Sequence, residues 1–340
     1  MHCTAVMDSI LIWGAGAIGS TVGAYLARAG HDVLLVDVDA AHVAAMNATG
    51  LRIEGPVDAF TVPVRAALPA DVRGVFRRAL LCVKGQDTVT AATQLAPHLA
   101  PDGYAASFQN GLCERLMVPV LGAHRVMGAF VNFGADWQAP GRVMYGNRGA
   151  MVLGEIDGAM TPRLAELHRL MQIFEPDAVQ VPDVFSTLWG KLCYSTYLTA
   201  QALAEKGIAD TLARPELLPL WRKLAGEVVA VATAEGVVLR GFNGFVPAAF
   251  GPEGSEAAAR ESIAALVAFN AASAKSHSGV WRDIWVRGRI SAARAQVGAV
   301  VEIGAGHGIA CPTIAKLIEM IGECERRERP MSDANLLELL

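Results

Sequence analysis

The feature that most constrains this chain is a glycine pattern close to its start, GAGAIG, with glycines at positions 14, 16 and 19. The pattern follows a short apolar run, ILIW at residues 10–13, and opens a segment rich in Ala and Leu at residues 17–29 that is typical of a helix. A turn then leads into a second apolar run, VLLV, at residues 33–36. A glycine-rich turn between a strand and a helix, with another strand following, predicts a β-α-β unit.

Each glycine of this turn has its own physical role. Gly14 permits the tight turn, Gly16 lets the backbone approach a pyrophosphate, and Gly19 lets the helix pack on the strand. The N–H groups at the helix start would face the phosphates, and an acid at the end of the second strand can bind ribose hydroxyls. A purely structural turn is the alternative. We predict a dinucleotide site formed by Gly14, Gly16, Ala17, Ile18, Gly19 and Asp37.

The order of the remaining elements indicates two domains. Apolar runs at residues 79–83, 104–108 and 125–131 are separated by helical segments, which predicts a buried parallel sheet. After about residue 185 the strand signals fade and helical spacing dominates. We therefore expect an α/β fold, with a Rossmann-type doubly wound parallel sheet in residues 1–182 and an all-α domain in residues 183–340. A second glycine cluster, GAGHG at 304–308, is predicted to be a helix end and a turn before a proline stop.

Composition excludes several classes of protein. Residues are 53% hydrophobic and 18% charged, yet no run of eighteen uncharged apolar residues occurs, so we expect no membrane span. A net charge of −4 argues against a nucleic-acid partner. The six cysteines form no CxxC pair and no metal-ligand spacing, which favours a reduced, cytoplasmic setting without a metal site. Residues 1–9 are predicted to be a short disordered leader rather than a secretory signal.

Two polar residues follow buried strands directly. Lys84 follows the first in LLCVKGQD, and Asn110 follows the second in ASFQNG. Ligands of open α/β sheets bind at the carboxyl ends of the strands. Asn-Gly is also a common turn. Because a glycine-rich turn lies upstream, we expect both residues to contact cofactor or substrate.

A lysine is isolated in an apolar, helix-forming stretch, WGKLCYSTYLTA at residues 189–200. Lys191, Ser195 and Thr199 are spaced by four residues and therefore share one helix face. In one interpretation the lysine snorkels and the hydroxyls bond to their own helix. In the other, the stripe is functional and faces a cleft between the domains. Apolar surroundings lower the pKa of a lysine, so that it can exchange a proton near neutrality.

These motifs together resemble the ketopantoate reductase (2-dehydropantoate 2-reductase) family. The matching pieces are GAGAIG, VKGQD, FQNG, WGKL and HGIACP, in the expected order over nearly the whole chain. The resemblance implies a Rossmann domain followed by a helical domain, NADPH binding and reduction of a 2-keto acid. It also implies that Lys191 is the general acid, that Asn110 contacts cofactor and substrate, and that Lys84 lies beside the cofactor.

The sequence departs from the family at positions that bear on the substrate. Ser195 and Thr199 replace two asparagines that the family has after its lysine, and the acidic motif before the last helix is absent, with Ala292 and Arg294 at its acidic places. A shift of one residue would put Ser291 opposite the glutamate. His277 and Ser278 lie where the family often has serines, so they are candidate substrate contacts; His277 could equally be a structural helix histidine.

We therefore predict a nicotinamide-dependent oxidoreductase that acts on a small 2-keto acid or its 2-hydroxy acid. Asp37, with Val38 in place of the usual arginine, favours NAD(H) over NADP(H), although Arg28 or His42 could offset the acid. The alternatives are a 2-hydroxy acid dehydrogenase working in the oxidative direction and a catalytically impaired NAD(P)-binding sensor. The apolar helical domain predicts a homodimer.

Overall fold

The structure is a computed structural model that describes residues 6–340. The described chain divides between Val184 and Phe185 into two compact units. The first unit is built from strands and helices, and the second from helices and loops. The strands are β1 (Val6–Trp13), β2 (Val33–Val36), β3 (Leu51–Glu54), β4 (Phe60–Val62), β5 (Arg65–Ala67), β6 (Val75–Leu81), β7 (Leu99–Ser107), β8 (Val126–Val131), β9 (Gly134–Ala139), β10 (Arg142–Asn147), β11 (Met151–Glu155) and β12 (Val179–Gln180).

The helices cover the sheet in the first unit and make up most of the second. Short 3₁₀ turns and one π-helical turn, Arg282–Val286, lie between them. The helices are α1 (Ala17–Arg28), α2 (Ala40–Thr49), α3 (Thr88–Leu95), α4 (Glu114–Leu121), α5 (Pro162–Gln172), α6 (Val184–Gln201), α7 (Ile208–Leu212), α8 (Leu218–Ala234), α9 (Glu256–Ala271), α10 (Gly279–Trp281), α11 (Ala293–Gln296), α12 (Gly298–Gly306), α13 (Pro312–Glu325) and α14 (Ala334–Glu338).

The larger sheet has the order β12-β11-β8-β7-β6-β1-β2-β5 within the described residues. In the part of this order that runs β8-β7-β6-β1-β2-β5, every pair of adjacent strands is parallel. Along the chain, helices connect most of these strands. The Rossmann-type fold class is thereby confirmed. The sheet is mixed at one edge, because β11 runs antiparallel to β8. Parallel strands covered by helices explain why β8 and the second halves of β1 and β6 are continuously apolar.

A second sheet, with the order β4-β3-β10-β9, was not predicted from the sequence. Helix α1 has this sheet among its neighbours, so that it is buried on all sides from Gly19 to Leu26. The Tyr25 ring makes edge contacts with Phe60, Tyr145 and Phe174 at centroid distances of 5.3, 5.9 and 5.1 Å. This aromatic cluster explains why the helix carries apolar residues on every face.

The expectation of a leader over residues 1–9 is wrong for its second half. Strand β1 begins at Val6, and Val6 and Met7 pair in parallel register with Val75 and Phe76 of β6. The polar residues Asp8 and Ser9 interrupt the apolar pattern by which the sequence would indicate this strand. Ser9 is paired in the structure, because its hydroxyl donates to the Asp32 carboxylate. Residues 1–5 lie outside the described part of the chain.

The second unit is organised around α6, whose side chains are almost all buried. The hydroxyl of Tyr194 donates to the Asn270 side chain of α9 at 2.8 Å, and the hydroxyl of Tyr197 donates to the Trp221 carbonyl of α8 at 3.1 Å. A helix surrounded by protein has no solvated face that would hold charges. The near absence of charges between residues 183 and 205 follows from this position.

The second glycine cluster is a helix end, as predicted. Helix α12 ends at Gly306, Gly308 adopts φ +70°, and Pro312 begins α13. The Glu227 carboxylate accepts hydrogen bonds from the first N–H groups of α13, at Thr313 (2.8 Å) and Ile314 (2.9 Å). The carboxylate satisfies these otherwise unpaired donors and complements the helix dipole.

Candidate functional site

The glycine turn after β1 has the geometry that each of its glycines was predicted to permit. Gly14 has φ +104°, and the N–H groups of Gly14 and Ala15 both donate to the Val36 carbonyl of β2, at 2.8 and 2.9 Å. A Cβ at Gly19 would lie 2.1 Å from the Gly14 carbonyl oxygen. Backbone atoms cannot yield to such a contact, so the first turn of α1 packs on β1 only with glycine at 19.

At Gly16 the turn has room for a ligand. A Cβ built there would meet no atom within 4 Å, and Gly16, Ala17 and Ile18 are partly exposed. Gly16 is the N-cap of α1 and contributes no side-chain cap, so the first N–H groups of the helix point toward this space. A helix N-terminus with free space before it suits a pyrophosphate. The residues present therefore fit a dinucleotide.

The carboxylate of Asp37 follows β2 and accepts a hydrogen bond from the Asp39 N–H at 3.0 Å. The next residue, Val38, is 80% exposed. The two residues that could have offset this acid are held elsewhere. Arg28 pairs with Asp58 at 2.9 Å and lies over the Phe60 ring, at 3.8 Å from the ring centroid.

His42 is buried and serves the glycine turn instead. Its Nε2 lies 2.8 Å from the Ala15 carbonyl, and its Nδ1 accepts from the Gly141 N–H at 2.9 Å. Because Nδ1 is the acceptor, Nε2 carries the proton and donates to Ala15. The imidazole thus links the glycine turn to the segment joining β9 to β10.

Lys84 and Asn110 follow the neighbouring parallel strands β6 and β7, so their backbones lie at the same edge of the sheet. Lys84 is half-buried, Asn110 is exposed, and Gly111 adopts φ +90°. The edge is the carboxyl edge, where ligands of such sheets bind. The structure therefore places both residues at this edge in the first unit, and their contact with cofactor or substrate stays a prediction.

Sequence reasoning missed the residue that joins these two loops, Gln109. Its side-chain amide donates to the Val83 carbonyl at 3.1 Å and to the Thr88 hydroxyl at 2.8 Å, and Thr88 donates in turn to the Gly85 carbonyl at 2.7 Å. These bonds hold the Asn110 loop against the Lys84 loop. The sequence shows the glutamine of FQNG, but it does not show which groups the side chain bonds.

Glu114, at the start of α4, was also not singled out. Its carboxyl group is buried in the first unit, only 1% exposed. Burial raises the pKa of this carboxyl to about 8, because the charged form is separated from water. At neutral pH the Glu114 carboxyl therefore favours its protonated form.

In the second unit, Lys191 is only 6% exposed. Burial lowers the pKa of its ammonium group to about 7, and the positive charge of Lys275 lowers it further. The predicted isolation of this lysine in an apolar helix therefore has the predicted electrostatic result. At neutral pH the side chain is divided between its protonated and neutral forms, which suits it for proton transfer.

The glycine before Lys191 has a packing role. A Cβ at Gly190 would lie 2.0 Å from the Arg240 carbonyl oxygen. The Arg240 N–H donates to the Ser186 carbonyl at 2.9 Å, so this extended segment crosses α6 directly beside the lysine. The segment shields the helix from water at that point, which contributes to the burial of Lys191.

Ser195 and Thr199 are buried on α6 in the positions expected from their spacing, 4% and 1% exposed. The Thr199 hydroxyl donates to the Ser195 carbonyl at 2.8 Å. For Thr199 this is the alternative that the sequence left open, a hydroxyl bonded to its own helix. A role of either residue in substrate binding stays a prediction.

His277 and Ser278 have partners within the second unit. The His277 Nδ1 lies 2.9 Å from the Ser276 hydroxyl and its Nε2 lies 3.2 Å from the Glu205 carbonyl. Ser278 caps α10 by accepting from the Trp281 N–H at 3.1 Å, and its own N–H donates to the Gln201 side chain at 3.1 Å. The structure thus gives these residues loop-holding contacts, and their substrate contacts stay predictions.

The positions of the missing family acids are occupied in a different way. Ala292 is buried, and Ser291 donates from both its N–H and its hydroxyl to the Glu325 carboxylate, at 2.8 and 2.7 Å. Nearby, Arg287 and Arg289 pair with the buried Asp283 at 3.2 and 2.9 Å. Arg294 is exposed.

Across residues 6–340, no group of three or more His, Cys, Asp or Glu side chains is arranged to hold a metal ion. In the same part of the chain, no helix combines the length and apolarity that crossing a membrane requires.

A parallel sheet whose first glycine turn opens a helix N-terminus to free space, joined in the chain to helices that bury a titrating lysine, defines a nicotinamide-dependent oxidoreductase of the Rossmann type. Residues 10–158 match the family model described as "Ketopantoate reductase PanE/ApbA", and residues 183–325 match that of its C-terminal part. The chain belongs to the ketopantoate reductase family. The sequence-based predictions of family and enzyme class are confirmed.

Known relatives agree with this membership. A 2-dehydropantoate 2-reductase of Archaeoglobus fulgidus is 26% identical over 316 residues, covering 93% of this chain and 97% of the relative. The enzyme of the same name from Caulobacter vibrioides is 28% identical over 322 residues, covering 93% and 98%. Both alignments include nearly the full length of the two proteins.

Solved structures show the same fold. A PanE/ApbA family ketopantoate reductase from Ralstonia eutropha is 27% identical, with a TM-score of 0.77 and coverage of 95% of this chain and 100% of that one. A D-mandelate dehydrogenase, solved with NADH and anilino(oxo)acetate, is 19% identical, with a TM-score of 0.80 and coverage of 94% and 99%. The latter shares the fold.

The glycine turn predicts opposite outcomes for two alanine substitutions. Gly16→Ala should unfold like the wild type but bind NADH at least about tenfold more weakly, a loss of about 1.4 kcal/mol, because its methyl group occupies ligand space. Gly19→Ala should destabilise the protein, because its Cβ meets a backbone oxygen. Thermal unfolding and NADH fluorescence titration of both variants measure this. Unchanged NADH affinity in Gly16→Ala would contradict the assignment of the turn.

Proposed function

We propose that this chain reduces an anionic 2-oxo acid to the corresponding 2-hydroxy acid, with Lys191 as the general acid. The observation that carries the proposal is the burial of Lys191, with a pKa of about 7, at the family's lysine position. An ammonium group near its pKa at neutral pH can release a proton and be reprotonated readily. A buried lysine with no chemical role would only reduce the stability of the fold.

In the proposed reaction the first unit binds the hydride donor, and the second unit supplies the proton. When bound at the glycine turn, a reduced nicotinamide supplies the hydride. Asn110 and Lys84, at the carboxyl edge of the sheet, are proposed to orient cofactor and substrate by hydrogen bonding. Lys191 is proposed to hydrogen-bond the substrate carbonyl oxygen, to stabilise the negative charge that develops there, and to protonate it. The products are the 2-hydroxy acid, the oxidised nicotinamide and a neutral Lys191, which takes a proton back from water.

The proposed cofactor is NAD(H) rather than NADP(H). Support comes from Asp37 at the end of β2, the exposed Val38 beside it, and the engagement of Arg28 and His42 elsewhere. The carboxylate can bind ribose hydroxyls and would repel a 2′-phosphate. The D-mandelate dehydrogenase of similar fold was solved with NADH, which agrees with this choice but is a statement about that protein.

The proposed substrate differs from ketopantoate. Support comes from Ala292 and Arg294 at the family's acidic places and from Ser195 and Thr199 in place of asparagines. Loss of a carboxylate makes this part of the second unit less negative and so more favourable to an anion. The anilino(oxo)acetate bound by D-mandelate dehydrogenase is itself an aromatic molecule with an oxo group beside a carboxylate. Aromatic and dicarboxylic 2-oxo acids are therefore the first candidates.

The opposite direction of the same reaction is the second candidate. The neutral form of Lys191, which is abundant above pH 7, can accept the proton of a 2-hydroxy acid, so the site would also support oxidation at alkaline pH. The impaired-sensor alternative predicts nucleotide binding without turnover. It gains no support from a lysine whose pKa matches the chemistry.

We also propose a cytoplasmic homodimer. The cysteines at 82, 113, 193, 311 and 324 are all free thiols, as is usual in a reducing compartment. Val238, Val286 and Ile290 of the second unit are 81, 65 and 70% exposed, and burial of such side chains against a second copy would favour self-association. Sedimentation velocity measures the oligomeric state directly.

Lys191→Ala should lower kcat for reduction by at least about a hundredfold, because a positioned general acid contributes roughly 10²- to 10⁴-fold. NADH affinity should hardly change. In the wild type, kcat/KM for reduction should be constant at low pH and fall about tenfold per unit above pH 7, as Lys191 loses its proton. Stopped-flow NADH oxidation between pH 5.5 and 9.5 measures both. Retention of most of the wild-type kcat by the variant would remove Lys191 from the mechanism.

NADH should be preferred to NADPH by about ten- to a thousandfold in kcat/KM, since unit charges about 4 Å apart interact with roughly 1 to 4 kcal/mol. The double change Asp37→Ala with Val38→Arg should shift the preference toward NADPH. Asp102→Ala, which removes an exposed acid near the opposite end of β7, is the matched control and should leave it unchanged. Higher efficiency of the wild type with NADPH would refute the assignment.

A panel of 2-oxo acids tests the proposed function as a whole. Aromatic and dicarboxylic 2-oxo acids should be reduced with kcat/KM at least about tenfold above that for ketopantoate, because the family's acidic contact is absent. NADH oxidation at pH 6.5 and identification of the 2-hydroxy acid product measure this. Ketopantoate as the best substrate would overturn the substrate claim, and NADH binding without turnover of any acid would support the sensor.

A further inference from the structure

The loops that follow β6 and β7 leave the sheet at corresponding positions. The register of paired residues ends with Leu81 opposite Ser107, and the Phe108 N–H still donates to the Leu81 carbonyl at 2.9 Å. Lys84 lies three residues after Leu81, and Asn110 lies three residues after Ser107. The spacing between these two side chains therefore depends on what connects the loops beyond the sheet ladder.

Gln109 makes that connection with its side chain, which is 3% exposed. Its amide nitrogen donates to the Val83 carbonyl at 3.1 Å and to the Thr88 hydroxyl at 2.8 Å, and its amide oxygen lies 3.4 Å from the Ser107 hydroxyl. Because a backbone carbonyl only accepts hydrogen bonds, the amide nitrogen must face Val83, which determines the orientation of the amide. Val83 and Thr88 lie on either side of Lys84 in the chain, so one side chain holds both ends of that loop.

These hydrogen bonds lie away from water and extend beyond the glutamine. Thr88 is 0% exposed, and its hydroxyl donates in turn to the Gly85 carbonyl at 2.7 Å. If the two loops separated, the Gln109 amide and the Val83 carbonyl would be left buried without partners, which is unfavourable. The bonds therefore keep the two loops at one separation.

The alignment of a hydride donor with its acceptor depends on such a separation, since a misplacement of about 1 Å can cost about a hundredfold in rate. Asn110 and Lys84 are the residues that are proposed above to orient cofactor and substrate. We propose that Gln109 is a positioning residue, which fixes the spacing between Asn110 and Lys84 and thereby aligns the nicotinamide with the 2-oxo acid; this inference rests on the proposed function. Gln109 acts through its two neighbours and not by contact with a reactant.

A positioning role determines which constant changes when the bonds are lost. The glycine turn that is predicted to bind the pyrophosphate opens α1, and the bonds of Gln109 are made to a different loop. Loss of these bonds should therefore leave most of the NADH affinity in place and slow hydride transfer. A residue that only supports the fold would instead reduce the amount of protein that binds NADH, with an unchanged transfer rate for each bound molecule.

Gln109→Met, Thr88→Val and Thr88→Ser test the proposal, with Thr93→Val as the matched control. Thr93 lies on the same helix, α3, is exposed, and donates its hydroxyl to the Val89 carbonyl at 2.8 Å. Single turnovers of bound NADH with the best 2-oxo acid give the rate constant of hydride transfer, and fluorescence titration gives the NADH affinity and the fraction of protein that binds it. The Thr88 pair repeats the test with a smaller change of volume, should Gln109→Met not fold.

We expect the rate constant per bound NADH to fall at least about tenfold in Gln109→Met and at least about threefold in Thr88→Val. Thr88→Ser keeps the hydroxyl and should stay within about twofold of the wild type, Thr93→Val should not differ from it, and NADH affinity should change less than about threefold throughout. An unchanged rate constant in both Gln109→Met and Thr88→Val would overturn the proposal. A loss in Thr93→Val equal to that in Thr88→Val would overturn it too.

Hydrogen exchange of the NADH complex measures the connection between the loops without turnover. In Gln109→Met, faster exchange should be confined to residues 82–88 and 108–113, whereas faster exchange throughout the first unit would show a structural role and overturn the proposal. Faster exchange in these two loops, with no 2-oxo acid reduced by the wild type, would refute the reductase but support the connection. Turnover by the wild type with an unchanged rate constant in Gln109→Met and Thr88→Val would refute the positioning role and leave the reductase standing.

Discussion

The first unit depends on one close approach, that of the Gly19 backbone to the carbonyl oxygen of Gly14. A single methyl group at position 19 would lie 2.1 Å from that oxygen and would move α1 off β1. With α1 in place, its buried face can be covered by the second sheet and the Tyr25 cluster, and its N-terminus faces free space at Gly16. The same close approach therefore fixes the packing of α1 and the open space before its N-terminus, as the close packing of protein interiors requires.

In the second unit the corresponding constraint is the burial of Lys191. A buried charge lowers the free energy of unfolding. This cost is smaller here because the lowered pKa of Lys191 allows the lysine to be neutral near pH 7. The apolar surroundings that give α6 its packing partners are the same surroundings that shift the pKa. Gly190 lets the segment that contains Arg240 cross α6, and this crossing contributes to the burial of the lysine. Core packing and the lowered pKa of Lys191 are thus two effects of one helix environment.

The charged residue that acts on Lys191 is not one of those close in sequence to the altered family motif. Arg287 and Arg289 are close in sequence to the altered family motif, yet both bind Asp283. Lys275, further away along the chain, is the residue whose charge reaches Lys191. Proximity in sequence predicts shared surroundings poorly in loops, because the partners of a long side chain are decided by which other segments pack beside it.

The sequence alone determined the local elements: the strand–glycine turn–helix–strand unit at residues 10–36, the helix that carries Lys191, and the helix end at Gly306. Their signals lie within a few residues, where apolar periodicity and glycine conformation act directly. The tertiary structure decided the second sheet, the antiparallel β11, the strand at residues 6–9 and the tie between Gln109 and Val83. Short strands and buried polar side chains gain stability only from partners distant in sequence, so their placement follows from long-range packing that local patterns do not encode.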